Sequence, residues 1–456
     1  MPRDTHVVTP EGWLSRGEAF VRGDGEQLAV FGGIVGEAAK VRVFGQQGQQ
    51  FRGRVLSVVG APHPHRVKPA CEKWGPCGGC PWMHLSPEGR QAAHDALWAA
   101  AAAEAGAALP LSPVVLAEPG SASEILLHWG YSDQGQPRLG VVAREGEGLV
   151  AIPRCPKVDP AVRLAMGAVA ATLRECDVRP GRDGPVRGIR CRVANGEILL
   201  TLRASRPTPV LYTWVEALAA NITELRGVVA NYPPDTDPKG SGVQRLYGHS
   251  WIALALAGGT IKVGQEETLP SDLVAYDRFL SAAPAMLGVE AGDAVLEMGS
   301  GIGERLVTLA RASGWAVGVE SEPRLAGRAT ENVRDNGVTA ELVVDGWVEA
   351  IEVTAPRLLG RRPRVWVDCG RKELGQRLVD AVRGLDPRAV ALQSENPVAL
   401  CREVARWQRD GWTLAGFYRH EIDAETPFVD AVAVMASASA ALPEKRAPRR
   451  KVARAP

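Results

Sequence analysis

The sequence has no run of 18 or more apolar residues; even the Ala-rich stretch from Ala96 to Ala108 is interrupted by Glu104. A membrane-spanning helix is therefore not expected, and no membrane partner. The start, Met1-Pro2-Arg3-Asp4-Thr5-His6, lacks the basic-then-apolar pattern of a secretory signal, so the chain is expected to stay in the cytoplasm with its thiols reduced. Charge of one sign is also absent. Lys plus Arg number 53 against 52 Asp plus Glu, a net charge of +1, so only local charge can speak for or against a nucleic-acid partner. What is present excludes disorder throughout: 45% of residues are hydrophobic and 23% charged, as in a soluble globular protein, and 456 residues at roughly 150 per domain suggest about three domains.

Between residues 11 and 60, short alternating segments (Glu18–Val21, Leu28–Phe31, Lys40–Phe44, Gly53–Val59) are separated by glycine-bearing turns. Such spacing predicts a small antiparallel β-barrel over 1–61, closed off by Pro62-His63-Pro64-His65-Arg66. Residues 62–262 read as a mixed α/β domain, with a strand at Glu197–Leu202 and helical character at Thr213–Leu218. From 263 to 440, apolar strands at Ala294–Glu297, Ala316–Glu320, Val365–Asp368 and Ala389–Leu392 alternate with helical stretches, the pattern of a doubly wound, Rossmann-like sheet. The fold class is thus multidomain, α+β and α/β. The tail, 441–456, contains Lys445-Arg446-Ala447-Pro448-Arg449-Arg450-Lys451, which either favours a phosphate backbone or simply ends the chain as a solvated segment.

Cys71, Cys77 and Cys80 stand at Cys-x5-Cys-x2-Cys spacing, and Gly78-Gly79 permits the tight turn that two thiolates on one metal centre need. Cys155, in a Pro-flanked loop, is the fourth ligand chosen; Cys176 and Cys191 have helix-like and strand-like contexts. Four thiolates suit zinc or an iron–sulfur cluster, and three close ligands with one distant favour the cluster.

Val295-Leu296-Glu297-Met298-Gly299-Ser300-Gly301-Ile302-Gly303 is a strand running into a glycine turn ahead of a helical segment. Glycines let backbone approach a ligand at the sheet's C-terminal edge, and Glu320, at the end of the next strand, is placed for ribose hydroxyls. The third glycine comes one residue too early for a dinucleotide fingerprint, and the acidic Glu297 ahead of the turn suits S-adenosylmethionine.

With these motifs together, the chain resembles the S-adenosylmethionine-dependent RNA uracil-C5 methyltransferases acting on tRNA and rRNA. In that family a TRAM barrel precedes a Cys-x5-Cys-Gly-Gly-Cys loop, a central RNA-binding domain and a methyltransferase domain. Val35-Gly36-Glu37 and the His84-Leu85-Ser86 that follows the cysteine loop match it too. The resemblance implies a [4Fe–4S] cluster on Cys71, Cys77, Cys80 and Cys155, and cofactor contacts from Gln265, Glu297, Gly299, Gly301, Glu320 and Asp368. It also implies a structured RNA (rRNA or tRNA) as partner, a monomer, and a helix near 90–112 packed on the C-terminal domain. Arg371 matches the Arg of the family's Asp-Pro-Pro-Arg motif, with Cys369 and Gly370 in place of its prolines. At Ser394-Glu395-Asn396-Pro397 the family reads Ser-Cys-Asn-Pro, so Glu395 stands in the nucleophile's position, and Asp430 stands for the closing Glu. Carbon 5 of uracil attacks a methyl group only after a nucleophile adds at carbon 6, and a carboxylate does this far less well than a thiolate. Three readings follow: a degenerate RNA-binding relative, a nucleophile moved to Cys369, or methylation of another atom with Glu395 or Asp430 as base.

Overall fold

The structure, a computed structural model, describes residues 4–23, 25–120, 122–145, 148–181, 184–233, 242–267, 270, 272–371 and 373–437. The basic tail lies outside the described residues. Residues 5–58 form a six-stranded sheet in the order Thr5–Val8, Ala39–Gln47, Gln50–Val58, Gln27–Phe31, Ala19–Arg22, Gly12–Trp13. Its alternation buries Leu28, Val30, Val41, Val43 and Phe51 on one side, as a period-2 pattern dictates. The short strands at Thr5–Val8 and Gly12–Trp13 carry too few residues to have stood out in the sequence.

A cysteine-bearing loop leads into the helix Pro87–Ala105. Ser86 caps it by accepting from the Gly89 amide at 3.2 Å, Pro87 opens it, and Gly106 at φ +67° closes it. Trp98, Ala101 and Ala102 of this helix are buried in one core with Leu400, Trp407 and Phe417, so the helix belongs physically to the C-terminal sheet. Val114–Val115 then adds to that sheet's edge beside Thr413–Glu421.

The middle of the chain is a seven-stranded sheet, spatially Leu149–Val150, Pro137–Val142, Glu124–Tyr131, Val186–Ala194, Glu197–Ala204, Leu225–Asn231, Val243–Gly248. The helices Pro160–Glu175 and Pro209–Asn221 pack on one face through Val162, Val169, Leu211 and Trp214. The hairpin Trp251–Leu256/Gly259–Gly264 packs on part of the other and continues into the C-terminal core.

The C-terminal sheet runs Ala340–Val343, Ala316–Val319, Val295–Met298, Arg364–Asp368, Ala389–Ser394, Val429–Ala436, Thr413–Glu421, then Val114–Val115. The first five are parallel, and Val429–Ala436 is antiparallel to both its neighbours. Helices on both faces explain why these strands read as unbroken apolar runs rather than alternating ones. The five parallel strands are entered in their middle, at Val295–Met298, and the order reverses between that strand and Arg364–Asp368. A doubly wound sheet opens its ligand crevice at such a switch point, at the strands' C-terminal ends. Among the described residues no helix is long and apolar enough to cross a membrane.

Candidate active site

At the switch point the glycine turn takes three left-handed residues, Gly299 at φ +81°, Gly301 at +54° and Gly303 at +85°. A Cβ on Gly299 would lie 3.1 Å from Trp347 and 3.3 Å from Asp368, whereas one on Gly301 would meet nothing within 4 Å. Gly299 is therefore held by packing, and Gly301 borders open space. The Gly301 amide donates to Glu320 Oε2 at 2.8 Å, and the Glu322 amide to Glu320 Oε1 at 2.9 Å. Glu320 thus ties the turn to the end of the neighbouring strand.

The open space is a cavity of about 370 Å³ lined by Gly299, Gly301, Glu304, Arg305, Asp368, Gly370, Arg371, Gln393, Glu395 and Asp430, with Tyr276 and Pro270 at its side. Of the residues the sequence nominated, Gly299, Gly301, Asp368, Glu395 and Asp430 line it; Glu297, Glu320, Cys369 and Gln265 do not. Glu297 is fully buried beneath it and accepts from Arg305 Nε at 2.6 Å.

Arg305, Gln393 and Asp430 form a chain that sequence reading missed in its first two members. Arg305 Nη1 and Trp366 Nε1 donate to Gln393 Oε1 at 2.5 and 2.9 Å, which turns the Gln393 amide nitrogen onto Asp430 Oδ1 at 3.0 Å. Arg305 Nη2 also reaches Asp368 Oδ2 at 3.4 Å. Burial pushes Asp430 up to about 7, against the Gln393 hydrogen bond that holds it down. Glu297 is likewise raised to about 7 by burial, opposed by Arg305. Burial also raises Glu304, whose Oε1 accepts from the Tyr276 hydroxyl at 2.7 Å. The signal that could have found Arg305 is its place between Glu304 and the buried Leu306 and Val307 at the start of the helix Glu304–Ser313: a cation entering a buried stretch must be paired.

Glu395 sits at the cavity's lip, its Oε2 3.1 Å from Arg371 Nη2. Asn396 caps the helix Pro397–Arg409 by accepting from the Val398 and Ala399 amides, and its Nδ2 donates to the Arg371 carbonyl at 3.2 Å. Ser394 Oγ donates to the Gly370 carbonyl at 2.6 Å, so the loops after the two strands are laced together. Cys369 lies elsewhere. It is buried in the core on the sheet's far side, its Sγ 3.8 Å from the Val367 carbonyl, and burial holds its thiol well above the ordinary range, with the Asp368 charge adding to the effect. It is not among the residues that line the cavity at the switch point.

The four cysteines of the other motif come into one neighbourhood. Cys77 lies within the electrostatic reach of Cys155 and Cys71, and Cys80 within that of Cys155 and Lys157. Burial raises Cys77 and pushes Cys80 up to about 12, so removal of their protons needs a strong cation at the sulfurs. Among the described residues, no three His, Cys, Asp or Glu side chains are gathered closely enough to hold a metal ion. The donor chemistry fits a thiolate-bound centre; the spacing of the sulfurs is not that of a closed one. Lys157 pairs with Asp423, and the Trp82 amide donates to the Glu425 carbonyl at 3.0 Å, so this neighbourhood touches the loop that leads into Asp430.

Gln265 faces a different cleft, where its carbonyl accepts from Arg190 Nη1 at 3.5 Å. That separates it from the other nominated cofactor residues.

No family profile matches the chain. It is similar to an uncharacterised RNA methyltransferase of Gloeobacter violaceus, 27% identical over 428 residues, 90% of this chain and 92% of the relative. It is also similar to the 23S rRNA (uracil(1939)-C(5))-methyltransferases of Edwardsiella ictaluri and Alkalilimnicola ehrlichii, 26% and 24% identical, each over 95% of this chain and 96% and 97% of theirs. Among solved structures, the Pyrococcus abyssi tRNA (uracil-54, C5)-methyltransferase in complex with S-adenosyl-L-homocysteine superposes with a TM-score of 0.71 at 16% identity, over 94% of this chain and all of that one. The chain therefore has a mixed α/β methyltransferase fold with several sheets, and nearly its whole length is similar to RNA methyltransferases.

Proposed function

We propose that this protein is an S-adenosylmethionine-dependent RNA methyltransferase built like the uracil-C5 enzymes, with a [4Fe–4S] cluster on Cys71, Cys77, Cys80 and Cys155. The observation that carries the reading is the cavity at the switch point, bordered by Gly299, Gly301 and Asp368, in a chain similar along its length to RNA methyltransferases. The cofactor supplies a methyl group on a sulfonium. Gly301 leaves room for it, Glu320 offers its remaining lone pairs to ribose hydroxyls, and the carboxylates around Asp368 favour its positive charge. A cluster held by Cys71, Cys77, Cys80 and Cys155 would staple the cysteine loop to the central domain.

Asp430 is the base in this reading. Its Oδ1 is held by Gln393, and a carboxylate raised to about 7 is matched to removing a proton near neutral pH. Glu395, paired with Arg371, holds the lip of the cavity over the target base. A carboxylate adds poorly to carbon 6, so covalent activation is weak and slow turnover is expected. Cys369 is a core residue. The test is methyl transfer from labelled S-adenosylmethionine to total RNA of a strain lacking the gene, followed by digestion to nucleosides. Label in a methylated nucleoside supports the reading; no label with RNA still bound makes the protein a binding relative that has lost the chemistry.

A further inference from the structure

We propose that the methyl group is delivered to the exocyclic amine of a cytosine, adenine or guanine base rather than to carbon 5 of uracil; this rests on the methyltransferase reading above and names its target atom. Two independent observations carry it. The first is that no thiol lines the cavity at the switch point: Glu395 stands at its lip, and Cys369 lies in the core. Carbon 5 of uracil attacks only after a nucleophile has added at carbon 6, whereas an amine nitrogen needs no covalent partner, only a base to take its proton.

The second is that the cavity's donors are committed to the protein while acceptors are left open. Arg305 gives Nε to Glu297, Nη1 to Gln393, and Nη2 to the Gly299 carbonyl and Asp368. The Tyr276 hydroxyl goes to Glu304 Oε1, the Gln393 amide nitrogen to Asp430 Oδ1 and the Gly370 amide to Asp368 Oδ1. Arg371 is paired with Glu395 at the lip, its side chain 74% exposed. Against this, Glu304 Oε2 is buried without a hydrogen-bond partner among the described residues. Asp430, only 5% exposed, takes a side-chain hydrogen bond at Oδ1 and none at Oδ2 among the described residues. Tyr276 lies within electrostatic reach of both carboxylates, so they border the same part of the cavity.

Oxygen 4 of uracil is an acceptor, while the amines of cytosine, adenine and guanine each carry two N–H donors. Two open carboxylate oxygens match two N–H groups on one nitrogen; they would leave the uracil oxygen facing acceptors, with no donor to replace the water it loses. Burial raises Glu304 and Asp430, and a sulfonium beside them would draw both back towards the ionised, acceptor-only form. In the step, the amine nitrogen bonds to the methyl carbon, the methyl–sulfur bond breaks with its electron pair going to sulfur, and the nitrogen's proton passes to Asp430 Oδ2. Glu304 Oε2 holds the second N–H and so orients the nitrogen's lone pair.

The test is to identify the labelled nucleoside, by chromatography and mass spectrometry, after the full-length protein or its Glu304→Gln variant has acted with labelled S-adenosylmethionine on total RNA of a strain lacking the gene. Label in N4-methylcytidine, N6-methyladenosine or N2-methylguanosine is expected, and which of them carries it names the base. Glu304→Gln is expected to slow transfer roughly 10- to 100-fold, as loss of a hydrogen bond to a charged group does, with S-adenosyl-L-homocysteine affinity within about twofold of the parent. Label in 5-methyluridine, or on any ring carbon or ring nitrogen, would overturn the amine and leave the methyltransferase reading standing. A Glu304→Gln variant as fast as the parent, or one that loses S-adenosyl-L-homocysteine as well, would remove Glu304 from the amine. No label in any nucleoside would instead remove the methyltransferase reading, and the amine with it.

Discussion

The cavity at the switch point and the cysteine neighbourhood are both sites built from residues distant in sequence, but they are completed differently. At the cavity, protein groups satisfy one another: Arg305 links Glu297, Gln393 and Asp368, and Gln393 fixes Asp430. Of the same cluster, Glu297 Oε2 and Glu304 Oε2 stay buried without a hydrogen-bond partner among the described residues. The cysteines have no such partners among themselves; their thiols are near one another, yet no three form a closed donor set among the described residues. A preorganised site can bind its ligand without folding around it, whereas a site of thiols is finished by what binds there.

The largest test of that contrast is at Asp430. Asp430→Asn keeps an oxygen to accept from Gln393 but removes the base, and methyl transfer is expected to fall by roughly 10²–10⁴. The same change should stabilise the fold. A buried carboxyl raised from 3.8 to about 7 contributes stability below its unfolded value and loses it as pH climbs towards 7. The variant is therefore expected to gain on the parent between about pH 4 and 7, by on the order of 4 kcal/mol at the top of that window, in denaturant titrations across pH.

Next comes Glu395→Cys, which places a thiol at the cavity's lip beside Arg371. Transfer to uracil-containing RNA should rise about 10-fold or more, since a thiolate adds to carbon 6 where a carboxylate scarcely does. Unchanged or lower transfer would remove Glu395 from the nucleophile's position. Stability should move by no more than about 1 kcal/mol, because the Glu395–Arg371 pair is solvent-facing.

Cys80→Ser sharpens the other half of the comparison. Protein prepared without oxygen should carry iron and absorb near ~400 nm as thiolate-bound clusters do; the variant should lose most of both. Its melting should fall by roughly 2–4 °C per kcal/mol of lost ligation, read by calorimetry, while cofactor affinity persists. A colourless, zinc-loaded parent would overturn the cluster. The smallest effect is expected at Cys369→Ala: transfer within about twofold of the parent and a stability cost near ~1 kcal/mol from one lost core sulfur.

How much of this was legible in the sequence follows from the range of the interactions. The glycine turn was readable because strand, turn and helix are consecutive, and Gly301 and Glu320 meet across a single strand–helix–strand unit. The doubly wound sheet announced itself through apolar runs that only two-sided burial explains. The Arg305–Gln393–Asp430 chain was not readable, since its members are 88 and 37 residues apart and no period links them. Glu297 is legible as a cofactor candidate, but its pairing with Arg305 is not, because an acid near a strand's end has the same pattern whether it faces a ligand or a buried cation. Gln265 is nominated only by the resemblance, and a resemblance carries no information about which side of a neighbouring arginine a loop will pass.

The most direct measurement is equilibrium binding of S-adenosylmethionine to the protein beside its Asp368→Ala and Glu320→Gln variants. Saturable binding by the parent, lost or strongly weakened in both variants, is the result expected if the cavity at the glycine turn is the cofactor site. No binding by the parent even at millimolar cofactor, or binding that neither variant weakens, would contradict it.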